Sequence, residues 1–456
     1  MSNKESRQGQ QPPPKELKRD IGFLDLTFLS LGGQSPFLSI LLYGTVTIIE
    51  AGLFGPIVIL LGTLLVLLNG LAVYELSKRF TKAGGYYTYA FYSLTRRLGF
   101  ETGWVYLLYS VAYGSAYILG AGYVMSSVLG ISPWITVSVV LGLGSALVLS
   151  GIKPSSKYAM FASILEIVLM TTLAILFLHS TGFRFYNPFS KIPSFGDIAL
   201  GILFGSSIPT GYGSITPNAG EVKDPKRTVS RAIVTVILIG GLLAAFDVYA
   251  IADHLSFYGL NPANVNIVSL IESRFGVVTF ALVIFGAMND SILATLAYMT
   301  ATSRTIFAMA SNGLFPEKLS QLKNYKPTNA ILITIALFFG ITVLSLFSLM
   351  QAFEAFVVVS SISLFANLFI HLAADSSLFK ISLKRASRRR TEIALAIGGA
   401  VFTIIDLVAS IGNTSHTMVY VFFAWIIIGF LIAEVEDMAK QEQNEAEAEE
   451  KHRSRS

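Results

Sequence analysis

The sequence predicts an all-α membrane protein of twelve transmembrane helices. Three observations carry this fold class. Of the 456 residues, 53% are hydrophobic and only 13% are charged, about half the charged share of an ordinary soluble domain, too little to coat a water-soluble globule. The apolar residues gather into twelve runs, most of them near the roughly 20 residues that a helical crossing needs and too long for barrel strands of about ten alternating residues. The positive charges, finally, partition cleanly once the runs are threaded back and forth.

The runs span approximately 23–46, 53–76, 101–129, 134–150, 158–180, 196–217, 230–252, 276–310, 328–348, 352–373, 393–411 and 417–435. The third and eighth exceed a perpendicular span, so tilt or protrusion is expected there. With the N-terminus inside, the outer loops hold only Arg184, Lys191 and Arg274. Arg304 lies within the eighth run, and the other 29 of the 33 Lys and Arg fall on inner segments. Such an excess is the positive-inside signature, and a wrong span count would have scrambled it. A multi-pass cell-membrane protein with both termini cytoplasmic is expected. Residues 1–20, with Pro12, Pro13 and Pro14 in a row, read as a disordered cytoplasmic tail, and no short apolar stretch with a small-residue cleavage site follows the basic residues as in a cleavable signal peptide. Residues 438–456 read as a charged, solvated cytoplasmic tail.

Freed backbone groups inside a span survive only where they line a protein cavity. The first span carries Gly32-Gly33-Gln34-Ser35-Pro36, and the sixth carries Pro209-Thr210-Gly211-Tyr212-Gly213. Both are poor helix near mid-span. Paired interruptions in corresponding positions of two halves point to a transporter site. The offset of five spans fits a five-plus-five inverted repeat, with 21–180 as the first repeat (helices 1–5), 196–373 as the second (helices 6–10) and 393–435 as helices 11–12. An odd repeat length turns the second copy upside down, so the two breaks meet at the midplane. The bland alternative is a pair of proline kinks.

A broken helix offers two useful ends. Free N–H donors and a partial positive charge at the start of its second half suit a carboxylate, and free carbonyls at the end of its first half suit an ammonium or metal cation. An α-amino acid fits both at once. Gly32, Gly33 and Ser35 are candidate donors to a carboxylate, with Gln34 beside them, and Thr210 and Gly211 can offer carbonyls to an amine, with Tyr212 and Gly213 completing the break.

Acids within the runs come next. Asp25, Glu50, Glu75 and Glu354 lie near span ends and read as interfacial, whereas Glu166, Asp247, Asp290 and Asp406 lie deeper. A charged acid at a helix centre costs about 2.5–3.5 kcal/mol on insertion scales. A functional or paired role competes with a protonated carboxyl bonded to a backbone carbonyl, and Glu166 and Asp290, nearer mid-depth, are the stronger functional candidates. Tyr106, Tyr109, Tyr113 and Tyr117 share one face of the third span. They serve either helix packing or an aromatic wall, on which Tyr109 and Tyr113 would line the cavity. Trp104, Trp134 and Trp425 lie near span ends as interfacial anchors.

Other chemistries are weakly represented. Cysteine is absent, which excludes disulfides, thiolate metal sites and a cysteine nucleophile. The five histidines are scattered, none paired at metal-ligand spacing, and His371 and His416 are read at span ends. No Walker P-loop suggests ATP-driven transport. No metal, cofactor or catalytic residue is expected, nor an enzyme, and a formal charge of +5 is too small to suggest nucleic acid.

Several segments resemble the amino acid–polyamine–organocation (APC) transporter superfamily. Ala219-Gly220-Glu221-Val222-Lys223-Asp224-Pro225-Lys226-Arg227 is similar to its signature loop, and Thr210-Gly211-Tyr212 to its small-Gly-aromatic break. Ser303-Arg304, Ala308-Met309-Ala310 and Asn312-Gly313 through Pro316 resemble its motif closing span eight. Gly84-Gly85-Tyr86 with Tyr89 resembles its loop after span two. The matches cover about 20–435, in order. The resemblance implies an amino acid permease-like, LeuT-type five-plus-five fold with broken helices 1 and 6, and secondary transport of amino acids or related amines. Departures accompany it. Relatives often read Gly-Ser-Gly in the first break, and some carry Glu where Gly213 stands. Others place a Lys in span five, where counting from Gly151 gives Glu166.

The sequence therefore leads to a secondary active transporter working by alternating access, proton-coupled or an exchanger, with a small amino acid or amine as substrate and the lipid bilayer and protons as further partners. Tyr109, Tyr113 and Tyr212 favour an apolar, aromatic or flexible zwitterion, and Asp290 leaves a cationic amino acid or polyamine open. The fold's common sodium site draws on adjacent span-eight hydroxyls, whereas here Ser291 and Thr295 lie one turn apart. In low dielectric the charged form of a carboxyl is disfavoured, so a buried acid can load and release a proton as water access alternates. Glu166 is the first candidate carrier and Asp290 the second. A gated channel or facilitator for small organic or inorganic cations is the alternative, since broken helices and buried acids serve either. A membrane sensor that binds without moving its ligand is a more distant one.

Overall fold

The computed structural model describes residues 16–349, 351–384, 389–411 and 418–435. The tail readings for 1–15 and 438–456, and His416, lie outside them. Eleven helical segments among the described residues are long and apolar enough to cross a membrane, the first running from Phe23 to Ser77.

That first segment begins with α1 (Phe23–Gln34), where Gly22 donates its N–H to Asp25 at 3.0 Å. The break that follows has a covalent cause. The Pro36 ring excludes Ser35 from the right-handed helical region and removes a donor. Ser35 turns left-handed, at φ 44 and ψ 62, a cost of about 1–2 kcal/mol for a side-chain-bearing residue. Its hydroxyl lies 3.1 Å from Gly32 O and 2.8 Å from Asp290 O. The helix resumes as α2 (Pro36–Ser39), widens into a π turn over Ile40–Gly44 and continues as α3 (Thr45–Ala51). A turn at Gly52–Phe54 leads into α4 (Gly55–Ser77).

The short α5 (Tyr86–Ser93) precedes α6 (Arg96–Leu129), whose Thr95 side chain accepts the Leu98 N–H as an N-cap. Next come α7 (Pro133–Ser150) and α8 (Ile152–Ser180). The latter starts directly after Gly151, six residues before the expected 158, because Lys153 and Lys157 stay in the helix and Lys153 pairs with Asp25 at 2.6 Å. A Ser194/Asp197 capping box opens α9 (Phe195–Ser207), after which the backbone tightens into 3₁₀ geometry over Ile208–Ser214 and Thr216–Glu221. Then follow α10 (Pro225–Phe257) and α11 (Ile267–Ser311), which is interrupted at Gly276, where φ 79 and ψ 178 suit a residue without a Cβ. The remaining helices are α12 (Thr328–Leu349), α13 (Ala352–Leu383), α14 (Arg389–Ile411) and α15 (Met418–Val435).

Burial sorts the helices into layers. The central window of α6 is wholly enclosed, with α11 and α13 packed along it, while α1 lies against α8 and α10. The apolar windows of α7, α12, α14 and α15 are a third buried or less. They present large apolar side chains outward, including Leu332, Phe347, Ile397 and Leu431, a surface suited to lipid and not to water. The outlying α15 is held by an Arg97–Glu434 ion pair, by Phe422 against Phe365 and Phe369 of α13, and by a ring clasp: Trp104 on α6 and Trp425 stack at 4.4 Å, and each indole N–H donates to the other's backbone carbonyl at 3.0 Å. These two tryptophans, expected as anchors at span ends, clasp one another, while Trp134 is exposed.

Candidate functional site

All twelve residues singled out from the sequence are buried. The irregular segments of the first and sixth runs touch directly. Ser30 donates its hydroxyl to Gly211 O at 3.2 Å, and Gln34 donates from Nε2 to Pro209 O and to Val236 O, each at 3.0 Å. Glycine permits this approach: a Cβ on Gly211 would lie 2.4 Å from Gln34 N, and one on Gly33 would lie 3.0 Å from Ser214 Oγ. Gln34 is thus less a rim residue than a bolt between the two breaks and α10.

The tyrosine face of α6 lies across this junction. Tyr106 donates to Gly213 O at 2.9 Å, Tyr113 to Ser207 O at 2.7 Å and Tyr117 to Gln34 O at 2.9 Å, while the Tyr109 and Tyr298 hydroxyls pair at 2.8 Å. Tyr113 and Tyr298 approach to 4.6 Å between ring centres. The stripe therefore binds carbonyls freed by both breaks, a more specific role than helix packing. Thr210 donates to Ser206 O at 2.5 Å, and Gly211 O also accepts from Ser214 at 2.8 Å, so this carbonyl already has two partners.

His371 departs from expectation. The sequence places it at a span end, yet α13 continues to Leu383 and encloses it. Its Nδ1 faces Asn367 O at 2.8 Å, and a carbonyl only accepts, so Nδ1 carries the proton and Nε2 accepts. The acceptor Nε2 meets the Tyr212 and Tyr86 hydroxyls, fastening the aromatic of the sixth break to α13.

Glu166 and Asp290, read as alternatives, are neighbours. Both are 0% exposed, and their carboxyls face each other. Asn289 donates to Glu166 Oε1 at 2.5 Å and accepts from Tyr158 at 2.5 Å. Leu38 N donates to Asp290 Oδ2 at 2.7 Å, which ties α11 to the restart of the first helix. Ser291 and Thr295 are already engaged, with Tyr117 O at 3.0 Å and Ser291 O at 2.8 Å. Among the described residues no group of three His, Asp or Glu side chains could hold a metal ion.

Next to the junction lies an ion pair of residues that sequence reasoning assigned no role. Arg304 and Glu221 form a buried two-point ion pair, and Glu221 O accepts the N–H groups of Asp20 at 2.8 Å and Ile21 at 3.2 Å. Beyond it a cavity of about 320 Å³ is lined by Arg19, Lys82, Thr88, Tyr92 and Asn312 among others, none of them a predicted site residue.

Comparison with known proteins places this geometry in context. Residues 25–441 match the family model for amino acid permeases. The low-affinity putrescine importer PlaP of Escherichia coli (strain K12) is 25% identical over 322 residues, covering 66% of this chain and 69% of that protein. The branched-chain amino acid permease BcaP of Bacillus subtilis (strain 168) is 23% identical over 448 residues, covering 92% and 93%. Among solved structures, MhsT in complex with L-phenylalanine superposes with a TM-score of 0.65 at 14% identity, covering 87% of this chain and 99% of that one. The last likeness shows a shared LeuT-type fold.

Proposed function

The chain belongs to the amino acid permease family, and from that premise we propose that it is a secondary active transporter that moves an amino acid or amine by alternating access. One observation carries the reading. The irregular segments at Ser35 and at 208–214 meet through Gln34, Ser30 and Gly211, so the non-helical backbone of two helices converges on one buried point, as a midplane transport site requires.

The remaining assignments follow from the same frame. The Phe23–Ser77 segment holds 55 residues, about 80 Å of helix against a hydrocarbon core of about 30 Å, so it counts as two crossings and brings the total to twelve. Breaks one and six then head repeats 21–180 and 196–373, with 393–435 appended, and the distribution of Lys and Arg puts both termini in the cytoplasm. Gly32, Gly33, Gln34, Ser35, Tyr109, Tyr113, Thr210, Gly211, Tyr212 and Gly213 surround the substrate position. Glu166 and Asp290 couple its movement to protons. The names of the relatives, one an amine importer and one an amino acid permease, bracket the substrate classes to be tried.

The test is uptake into liposomes carrying the purified full chain, with a panel of labelled amino acids and amines. Saturable accumulation with trans-stimulated exchange supports the transporter. Single-channel current steps would show a channel instead, and binding without flux a sensor.

A further inference from the structure

The seat that a broken helix offers to a substrate carboxylate is already taken in this chain. The helical run that restarts at Pro36 and continues through the π turn to Ala51 should expose free N–H donors at its first turn. Pro36 has none. Ser35 N donates to Gly32 O at 3.1 Å, and Leu38 N donates to Asp290 Oδ2 at 2.7 Å. Phe37 N–H faces the same carboxyl. An acid from α11 thus sits where the helix dipole would draw a bound anion.

A second observation concerns the oxygens left over. Glu166 Oε2 and Asp290 Oδ1 have no hydrogen-bond partner among the described residues, although both side chains are fully buried. The other oxygen of each carboxyl is satisfied, by Asn289 Nδ2 and Leu38 N. Neither carboxyl takes part in an ion pair with a described cation. Two ionised carboxylates enclosed together with no cation would be strongly disfavoured. A single proton between Oε2 and Oδ1 makes one carboxyl a donor and the other an acceptor, and removes both unsatisfied atoms.

We propose that Glu166 and Asp290 form one seat for a monovalent cation, holding a shared proton when substrate is absent and the ammonium group of an organic amine when it is bound, so that the substrate is an amine with no carboxylate beside that ammonium. The exchange balances. The pair bears one negative charge with its proton, and bears one again when an alkylammonium ion enters and the proton leaves to water. An α-amino acid would place its carboxylate against Asp290, with no free N–H to receive it.

The surroundings contain little else that titrates. On α8 the nearest group is Tyr158, and Lys153, three turns away, is paired with Asp25 on α1. From α6, the Tyr113 and Tyr117 hydroxyls are engaged with Ser207 O and Gln34 O. On α10, Asp247 lines a small gap with Phe37 and Met170. No ionisable residue occurs in α7.

This inference rests on the transporter reading and is tested so that the two can fail separately. The purified full chain is titrated with putrescine, butylamine, leucine, phenylalanine, sodium chloride and potassium chloride. Melting shift, calorimetric binding and proton release to a dye in weak buffer are recorded. The amines are expected to stabilise the protein and release about one proton each, and leucine, phenylalanine and the salts to do neither. Glu166→Gln should abolish proton release and weaken amine binding on the order of 30-fold. Should that variant not fold, the wild type alone decides: an infrared band of a protonated carboxyl should vanish on amine addition. Binding of leucine or phenylalanine, amine binding with no proton release, or an equal response to the salts overturns the inference and leaves the transporter standing. Absence of binding and flux for amines and amino acids alike overturns both.

Discussion

Arg304 lays its guanidinium edge along the Glu221 carboxylate, Nε to Oε2 at 2.8 Å and Nη2 to Oε1 at 3.0 Å, with side-chain exposures of 1% and 5%. This two-point pair joins the end of α11 to the segment after the sixth break. Through Glu221 O it also holds the chain at Asp20 and Ile21. Removing one partner strands a buried charge, a loss of about 3–5 kcal/mol. Arg304→Met and Glu221→Gln should each lower the melting temperature markedly, while the double variant Arg304→Met/Glu221→Met should recover much of the loss. Arg304→Lys should fall between, since an ammonium lacks the two-point fork. Additive losses in the double variant would contradict the pairing.

The same pair predicts an accessibility change. Ala83 is buried beside Gly220, and the chain has no cysteine of its own. An Ala83→Cys substitution therefore supplies a lone thiol there. Glu221→Gln should speed its reaction with a membrane-impermeant maleimide. An unchanged rate would mean that the pair does not shield that position.

Gly211 tests the contact between the breaks. Its added Cβ would meet Gln34 backbone at 2.4 and 2.7 Å, whereas at Gly340 nothing lies within 4 Å. Gly211→Ala should cost about 1–3 kcal/mol by overpacking and abolish uptake, with Gly340→Ala as a neutral control. Equal uptake by the two variants would remove the junction from the transport cycle.

Gln34 donates to two backbone carbonyls, Pro209 O in the sixth break and Val236 O on α10. Gln34→Leu removes both of these bonds from a fully buried junction, at about 1–3 kcal/mol. A clear drop in melting temperature is expected, and one within error of wild type would show that other donors reach these carbonyls.

Proton dependence has a definite sign if a proton and a substrate ammonium compete for one seat. Lowering pH on the loading side should raise the apparent KM for an amine, and raising it should lower KM, with little change on exchanging sodium for potassium. In Glu166→Gln the slope should flatten. Wild-type uptake that requires sodium and ignores pH would sink proton coupling, and a Glu166→Gln profile matching wild type would clear Glu166 and leave Asp290 as carrier.

Much of this architecture is legible in the residues because lipid imposes length, and length is visible in a sequence. The Ser35 break is legible because Pro36 acts on its immediate neighbour, and the tyrosine face because its spacing is local. Partners are not. Asp290 and Leu38 lie 252 positions apart, Gln34 and Pro209 175, and no local pattern tells an acid which donor it will meet. Glu166 and Asp290 were thus legible as buried acids and illegible as a pair. His371 was misplaced for a different reason. Asp375, one turn on, reads as the polar end of a span, yet it is 1% exposed and the helix runs past it.

The clasp between Trp104 and Trp425 has an optical consequence. Two indoles 4.4 Å apart with planes 11° from parallel form a coupled chromophore, and the third tryptophan, Trp134, stands apart from them. Circular dichroism should carry an exciton contribution from that couplet, with a sign and splitting set by the relative orientation of the two rings. The protein thus carries an intrinsic, label-free gauge of whether its last helix stays docked while the centre rearranges. Replacing Trp425 with Phe should silence the gauge without touching the junction of the breaks.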